Sequence, residues 1–410
     1  MKEMNYTNNN MLRKFIRKII TLINVFMFRL FALFKLDDNL IILESEGDFS
    51  DNAFALFDYL KRNEYLKKYR VVWLVDDMER FRDYECENVS FCEKTTDRID
   101  IRRARFLATS KWYIFDHNDM LSKLGKRKHQ VIIYLCHAFP GYKAGKNPND
   151  SRLKPVNYAD YVVTYGELSA SLINHYAEYP NAKILQLGFS RLDYFYSDLT
   201  LAKQIIEKTY NSSKYDKTLL WMPTFRRSVN VALSENYDKS ETGLPLLNTE
   251  EDLYRFNEFL KSVNTLVFLK WHHLQSKLKI FDIKISNILF VSDSDIGSLG
   301  LQLYQFIPYA DALITDYSSI SADYMLLDKP IIYFLDDYEE YKKSRGIFPE
   351  NALELMIGDH VYTYSQMEDA IKRICKGEDR YKDERREKLP MFHKYVDGMA
   401  SKRIIDYFGI

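Results

Sequence analysis

From residue 37 onward, short apolar runs alternate with longer segments of mixed composition. Runs at Leu40–Glu44, Val71–Val75, Trp112–Phe115, Val131–Cys136, Tyr161–Thr164 and Ile184–Leu187 predict strands. Segments between them, such as Asn52–Leu60 and Leu168–Tyr176, carry helical spacing. A second series of strands is predicted at Thr218–Met222, Leu266–Lys270, Ile288–Val291, Ala312–Thr315 and Ile331–Phe334. Strands that are apolar almost throughout are covered on both faces, the pattern of parallel sheets wrapped by helices. Two series therefore predict an α/β chain with two Rossmann-like, doubly wound domains, joined within 195–216, where KTYNSSKYDK (208–217) is polar and turn-rich. The stretch SVNVALSENYDKSETG (228–243) reads as a loop or lid. Two facing domains of this kind hold a ligand in the cleft, near the carboxyl ends of their strands.

The N-terminal pattern is different. Residues 11–36, MLRKFIRKIITLINVFMFRLFALFKL, have a longest charge-free run of Ile19 to Phe28, short of the ~20 apolar residues a membrane span needs. No small-residue cleavage site follows, which argues against a signal peptide. On a helical wheel Arg13, Lys14, Arg17, Lys18, Thr21, Asn24, Arg29 and Lys35 fall in one arc of about 160°. Leu12, Phe15, Ile16, Ile19, Leu22, Ile23, Phe26 and Leu30 lie opposite. A basic amphipathic helix lies in a membrane interface, drawn by anionic lipid; its alternative is packing on the protein's own body. The expectation is peripheral attachment through residues 1–36.

Composition sharpens this picture in two places. The formal net charge is zero, which excludes a general nucleic-acid binder. Residues 1–36 nevertheless hold seven Lys/Arg against one acid, and the remainder is acidic by six. The four cysteines, Cys86, Cys92, Cys136 and Cys375, show neither CxxC spacing nor a nearby histidine cluster, so neither zinc nor a disulfide framework is indicated. They suit a reducing compartment.

Five clusters stand just after predicted strands, where such folds carry their chemistry. HAFPGYKAG (137–145) offers His137, an imidazole able to take a proton near neutral pH, and Lys143, a partner for phosphate. The plainer reading of His137 is a loop residue bonded to backbone. LGFSRLDYF (187–195) offers Arg191 for an anion, or else for Asp193 or an interdomain contact. WMPTFRRS (221–228) supplies Thr224 and Arg226, a hydroxyl and a guanidinium suited to diphosphate, or simply solvated charge. LKWHHLQ (269–275) gathers Lys270, His272 and His273; adjacent histidines rarely share one metal ion, and no HExxH spacing is present. In ALITDYSSISADYMLLDKPIIYF (312–334), Asp316 leads into Ser318 and Ser319 where a strand meets a helix. The two serines read as a helix cap or as a phosphate site on the helix N-terminus.

Taken in order, HAFPGYK, GFSRLD, PTFR, KWHH and LITDYSSISADYMLLDKPIIYFLDDYEEYKKSRG (313–346) resemble the CDP-glycerol glycerophosphotransferase family of teichoic acid and capsule synthesis. SEGDFSDNAFALFDYL (45–60) is similar to the family's first motif, and the resemblance spans about residues 40 to 350. It implies a GT-B-like fold with 1–36 as the membrane-associating segment, 37–205 as an acceptor-side domain and 206–410 as the CDP-donor domain. It implies transfer of a polyol phosphate from CDP-glycerol or CDP-ribitol to a lipid-linked or glycan acceptor, with release of CMP and no cofactor or metal. The enzyme would work peripherally at the cytoplasmic face of the membrane. By motif match His137 and His272 are the catalytic pair, while Thr224, Arg226, Asp316, Ser318 and Ser319 face the donor. Lys143, Arg191, Lys270 and His273 are further contacts for phosphate or acceptor. Two departures are visible: Ala138 stands where the family commonly has Gly, and His273 where it has Pro. The rival readings are a GT-B glycosyltransferase using a nucleotide-sugar and a catalytically dead scaffold of a glycopolymer assembly complex.

Overall fold

The computed structural model describes residues 2–117, 119–142, 158–176, 181–224, 240–270, 285–344 and 346–410. Thirteen strands form two sheets, and every strand pairing is parallel. The first sheet contains β1 (Asp37–Glu44), β2 (Arg70–Val75), β3 (Val89–Glu93), β4 (Ser110–Phe115), β5 (Val131–Tyr134), β6 (Tyr161–Thr164) and β7 (Lys183–Gln186), in the order β3-β2-β1-β4-β5-β6-β7. The second contains β8 (Lys217–Trp221), β9 (Thr265–Lys270), β10 (Ile288–Val291), β11 (Ala312–Thr315), β12 (Ile331–Phe334) and β13 (Asp359–Val361), in the order β10-β9-β8-β11-β12-β13. The expected doubly wound, GT-B-like pair is therefore present.

Both orders reverse direction once, between β1 and β4 and between β8 and β11. At such a switch point the connections leave on opposite faces, so a crevice opens at the strands' carboxyl ends. The central strands are fully enclosed: Ile41, Ile42, Leu43, Leu219, Leu220, Trp221, Leu313 and Ile314 are buried. Burying each such side chain contributes about 1.5–3 kcal/mol, so the rigid parts of the fold are those from which the crevice loops emerge.

The chain does not stay with the second sheet to its end. Helix Ala400–Phe408 returns to the first, where Ile404, Ile405 and Ile410 join Ile41, Leu43 and Val163 in one core. Asp193 fixes this return, accepting from the backbone N–H of Ala400 at 2.8 Å and of Ser401 at 2.9 Å. Gly188, at φ +91°, sits beneath it; a Cβ there would come within 3.0 Å of the Ala400 Cβ, which explains the glycine in LGFSRLD.

The N-terminal helix spans Lys2–Phe31, and no helix among the described residues is long and apolar enough to cross a membrane. It packs on helix Ile101–Thr109 through a side that carries Asn24 and Phe28, while Arg17, Lys18 and Arg29 stay exposed. Asn24 is 1% exposed; it donates to the Arg98 carbonyl at 2.9 Å and accepts from the buried Arg103 at 3.3 Å. Phe15, Ile16, Ile19, Leu22, Phe26 and Leu30 instead face outward, Leu22 at 67% exposure. Packing on the body and presentation of an apolar face thus coexist in one helix.

Candidate active site

The loops after β1, β4 and β5 meet at the first switch point. His137 follows β5 by two residues and is exposed, with its Nδ1 3.0 Å from Asp51 Oδ2. Asp51 opens helix Asp51–Arg62, and both Asp51 (φ 56°) and Cys136 (φ 57°) adopt left-handed backbone. Non-glycine residues held this way are strained by about 1–3 kcal/mol, and here the two flank the same contact. The neighbouring Asn52 closes the arrangement: its amide donates to the Cys136 carbonyl at 2.8 Å and accepts from the Arg191 N–H at 3.1 Å.

A second imidazole lies underneath. His117, directly after β4, has its ring centroid 3.7 Å from that of His137. Its Nδ1 is 2.7 Å from Asp116 Oδ1, and its Nε2 is 2.9 Å from Glu46 Oε2. Burial opposes a charge on this ring, but hydrogen bonds to Asp116 and then Glu46 outweigh it and push the imidazole up to about 9. Asp116 is fully buried and also accepts from the Ala53 N–H at 3.0 Å, which ties helix Asp51–Arg62 to β4.

Arg191 connects this cluster to the second sheet. Its Nη1 lies 2.7 Å from Asp51 Oδ1 and also meets the His137 carbonyl, while its Nη2 lies 2.8 Å from Asp323 Oδ2. Asp323 accepts in turn from the Tyr304 hydroxyl at 2.5 Å. Burial alone would raise the Asp51 carboxyl, but Arg191 and then His137 outweigh it and hold it well below the usual carboxylate range. An ionised carboxylate on Nδ1 fixes the tautomer with Nε2 free. That nitrogen has no partner among the described residues.

At the second switch point Asp316 follows β11 and is fully buried. Both of its oxygens accept from the Thr224 N–H, at 3.0 and 2.9 Å, and the Thr315 hydroxyl donates to the Met222 carbonyl at 2.8 Å. These bonds hold the chain leaving β8 as it enters PTFR. Ser318 and Ser319 are half-buried on the crevice side of helix Ile320–Tyr324. Ser319 stands at the N-cap, but its side chain makes no capping bond. The capping expectation is met by position and not by chemistry, which leaves that hydroxyl to other partners.

Of the residues expected at the site, His137, Arg191, Thr224, Asp316, Ser318 and Ser319 all lie in segments that follow strands, His137 exposed and Arg191 and Asp316 buried. Arg191 makes the interdomain contact, and its partners are Asp51 and Asp323 rather than Asp193. Lys270, at the end of β9, pairs with Asp293 at 3.0 Å. Lys143, Arg226, His272 and His273 lie outside the described residues, as does 228–239 of the expected lid. The sequence reading did not single out Asp51, His117 or Asp323 as site residues. His117 follows a predicted strand in IFDHND, and the strand-end rule applied there finds it.

Ligand atoms of Asp51, His117 and His137 lie within 4.8 Å of one another, a spacing a cation could bridge. The donor set does not fit one. Both His117 nitrogens are committed to carboxylates, and the Arg191 guanidinium occupies the second oxygen of Asp51.

Two parallel doubly wound sheets, with a carboxylate-held imidazole at one switch point and a Ser-Ser turn at the other, give the chain a GT-B-like fold. The chain belongs to the CDP-glycerol:poly(glycerophosphate) glycerophosphotransferase family, whose model matches residues 25–408. It is 26% identical over 400 residues to the teichoic acid glycerol-phosphate transferase of Staphylococcus aureus, spanning 92% of this chain and 95% of that one. It is also 26% identical over 413 residues to the teichoic acid poly(ribitol-phosphate) polymerase of Bacillus spizizenii, spanning 96% of this chain but 60% of that protein. The solved structure of the wall teichoic acid polymerase TagF superposes with a TM-score of 0.71 at 19% identity, over 100% of this chain and 96% of that one. Family membership makes the protein an enzyme of CDP-activated polyol-phosphate transfer.

Proposed function

We propose that this enzyme transfers glycerol phosphate, or a related polyol phosphate, from its CDP conjugate to a hydroxyl of a lipid-linked or glycan acceptor. The observation that carries the reading is His137, with Nδ1 on Asp51 and Nε2 open at the carboxyl end of β5. His137 Nε2 takes the proton of the acceptor hydroxyl. The oxygen bonds to the phosphorus that carries the polyol, the bond from that phosphorus to the bridging oxygen breaks, and CMP leaves with the electron pair. Such transfers rest mainly on positioning and charge neutralisation. Ser318 and Ser319 supply hydroxyls to the donor's diphosphate, Thr224 and Arg226 bind the same group, and His272 protonates or stabilises the leaving phosphate. Asp316, buried and bonded to Thr224, positions that loop from below. Lys143, Lys270 and His273 are further contacts for phosphate or acceptor, and Arg191 serves by holding Asp51.

The division of labour follows the two sheets. Residues 37–205 take the acceptor, residues from 206 take the donor, and the final helix staples the second unit to the first. The outward apolar face of the N-terminal helix seats the enzyme on a membrane surface, at the cytoplasmic face where CDP-polyols are made. CMP release from CDP-glycerol and CDP-ribitol, with a lipid-linked acceptor and with a UDP-sugar as competitor, tests the reading. Acceptor-dependent release from one CDP donor, lost in His137→Ala and in His272→Ala, is the expected result. Consumption of the UDP-sugar alone would move the chain to the glycosyltransferases, and turnover of neither would favour the scaffold.

A further inference from the structure

His117 is the group this mechanism leaves unused, although its ring centroid lies 3.7 Å from that of His137. It is only 12% exposed, against 48% for His137, so it lies under the base and away from substrate. Each ring nitrogen faces a carboxylate oxygen, Asp116 at 2.7 Å and Glu46 at 2.9 Å. A neutral imidazole has one N–H and can satisfy only one carboxylate, whereas an imidazolium satisfies both. The geometry therefore describes a clamped cation in contact with a second imidazole.

We propose that His117 is a positioning residue for the transfer: a fixed imidazolium in tilted ring contact with His137 that opposes a second proton on that ring and holds its Nε2 toward the acceptor. The proposal rests on the reading of His137 as the base. The charged groups around the pair come from four elements. Glu46 stands in the loop after β1, Asp116 beside His117 itself, Asp51 at the start of its helix, and Arg191 after β7. Asp116 and Glu46 are occupied by His117, and Arg191 offsets Asp51. The imidazolium is the cation in ring contact with His137, so its removal leaves carboxylates that favour protonating the base. The raised affinity of His117 for its proton agrees with this picture.

The test is the pH–rate profile of CMP release for the wild type, His117→Gln and His117→Lys. In His117→Gln the acidic limb moves up by about one pH unit, the scale of one nearby charge in a partly solvated site. In His117→Lys, which restores a cation, the limb returns toward the wild-type position. An unmoved limb in His117→Gln overturns the proposal, because a merely structural role lowers the rate without moving the profile. A second readout does not depend on turnover: long-range proton–nitrogen NMR of histidine-labelled wild-type protein at about pH 7.5. Two protonated nitrogens on His117 are expected, and a singly protonated ring sinks the idea even where the glutamine variant fails to fold. If the wild type releases no CMP from either donor, the functional reading fails by itself. The NMR titration of His137 with and without His117 then still decides whether the charged contact exists.

Discussion

Asp51 serves two partners through its two oxygens, and that fixes what a substitution there does. Oδ2 orients His137, and Oδ1 receives Arg191. Asn at this position keeps the size but offers an amide N–H where an acceptor is needed. In Asp51→Asn the His137 tautomer is no longer held, and the rate of CMP release should fall by ~10²–10⁴-fold, the usual contribution of acid–base catalysis. Activity within threefold of wild type, about 0.6 kcal/mol of barrier, would show that Asp51 does not serve the base. Glu44 carries a prediction of another kind. It is buried at the end of β1 against the Tyr113 hydroxyl, and burial raises its carboxyl from 4.5 to about 7 despite that hydrogen bond. The fold thus keeps a proton that the unfolded chain releases at lower pH. Between these two values the unfolded chain binds fewer protons, so stability falls as pH rises and levels off above about 7. The loss attributable to this group is about 3 kcal/mol. Glu44→Gln should remove that slope, so the difference in urea stability between variant and wild type should widen from pH 4.5 to about 7. A difference that stays constant across the window would refute the assignment.

At the scale of elements, eleven of the thirteen strands coincide within three residues with apolar runs visible in the sequence. The two that do not are β3 and β13, both at sheet edges. β3 follows the polar DYECEN, and β13 is the three residues Asp359–Val361, two of them polar. An edge strand is covered less completely, so nothing forces it to be apolar throughout. The site was legible to the same extent and for the same reason. His137, Arg191, Asp316 and the serines follow strands that read clearly. The partnership of Asp51, His117 and His137 depends on β1 lying beside β4 and β4 beside β5, a strand order that no local pattern encodes. Asp323 lies inside a short helix and becomes a site residue only when Arg191 arrives from the other sheet. The N-terminal helix was legible in its amphipathicity but not in its orientation: the body takes a side with Asn24 and Phe28, and both the basic residues and the apolar face are left outward. Leu22→Lys with Phe26→Lys places charge on that face without touching Asn24 or the buried Phe28. Each substitution removes about 1.5–3 kcal/mol of apolar insertion. Co-sedimentation with phosphatidylglycerol vesicles should therefore drop by at least ~10-fold, while thermal unfolding stays where it was. Undiminished sedimentation would place the membrane contact elsewhere.

Across the whole molecule several contacts join the two sheets, and three of them differ in kind. Asp193 caps the returning helix, the Tyr142 hydroxyl donates to the Leu355 carbonyl at 3.1 Å, and Arg191 bridges Asp51 and Asp323. The last of these runs through the candidate site, so the position of the second sheet and the ionisation of Asp51 depend on one guanidinium. Burial works against a charge on Arg191, yet Asp51 leads the groups that hold it firmly protonated. Lysine keeps the charge but not the planar fork, and it cannot reach two carboxylates and the His137 carbonyl together. Arg191→Met leaves Asp51 and Asp323 buried without a counter-charge, which costs about 3–5 kcal/mol of folding stability. Arg191→Lys should lose less stability than Arg191→Met while losing as much activity, because the alignment of the two halves fails although the charge survives. The pairing is checked with Arg191→Met combined with Asp323→Asn. Removing one stranded carboxylate should return about 1–3 kcal/mol of stability and no CMP release. If the double variant is no more stable than Arg191→Met, Asp323 is not the partner that the bridge requires, and the coupling between the sheets runs through contacts other than this one.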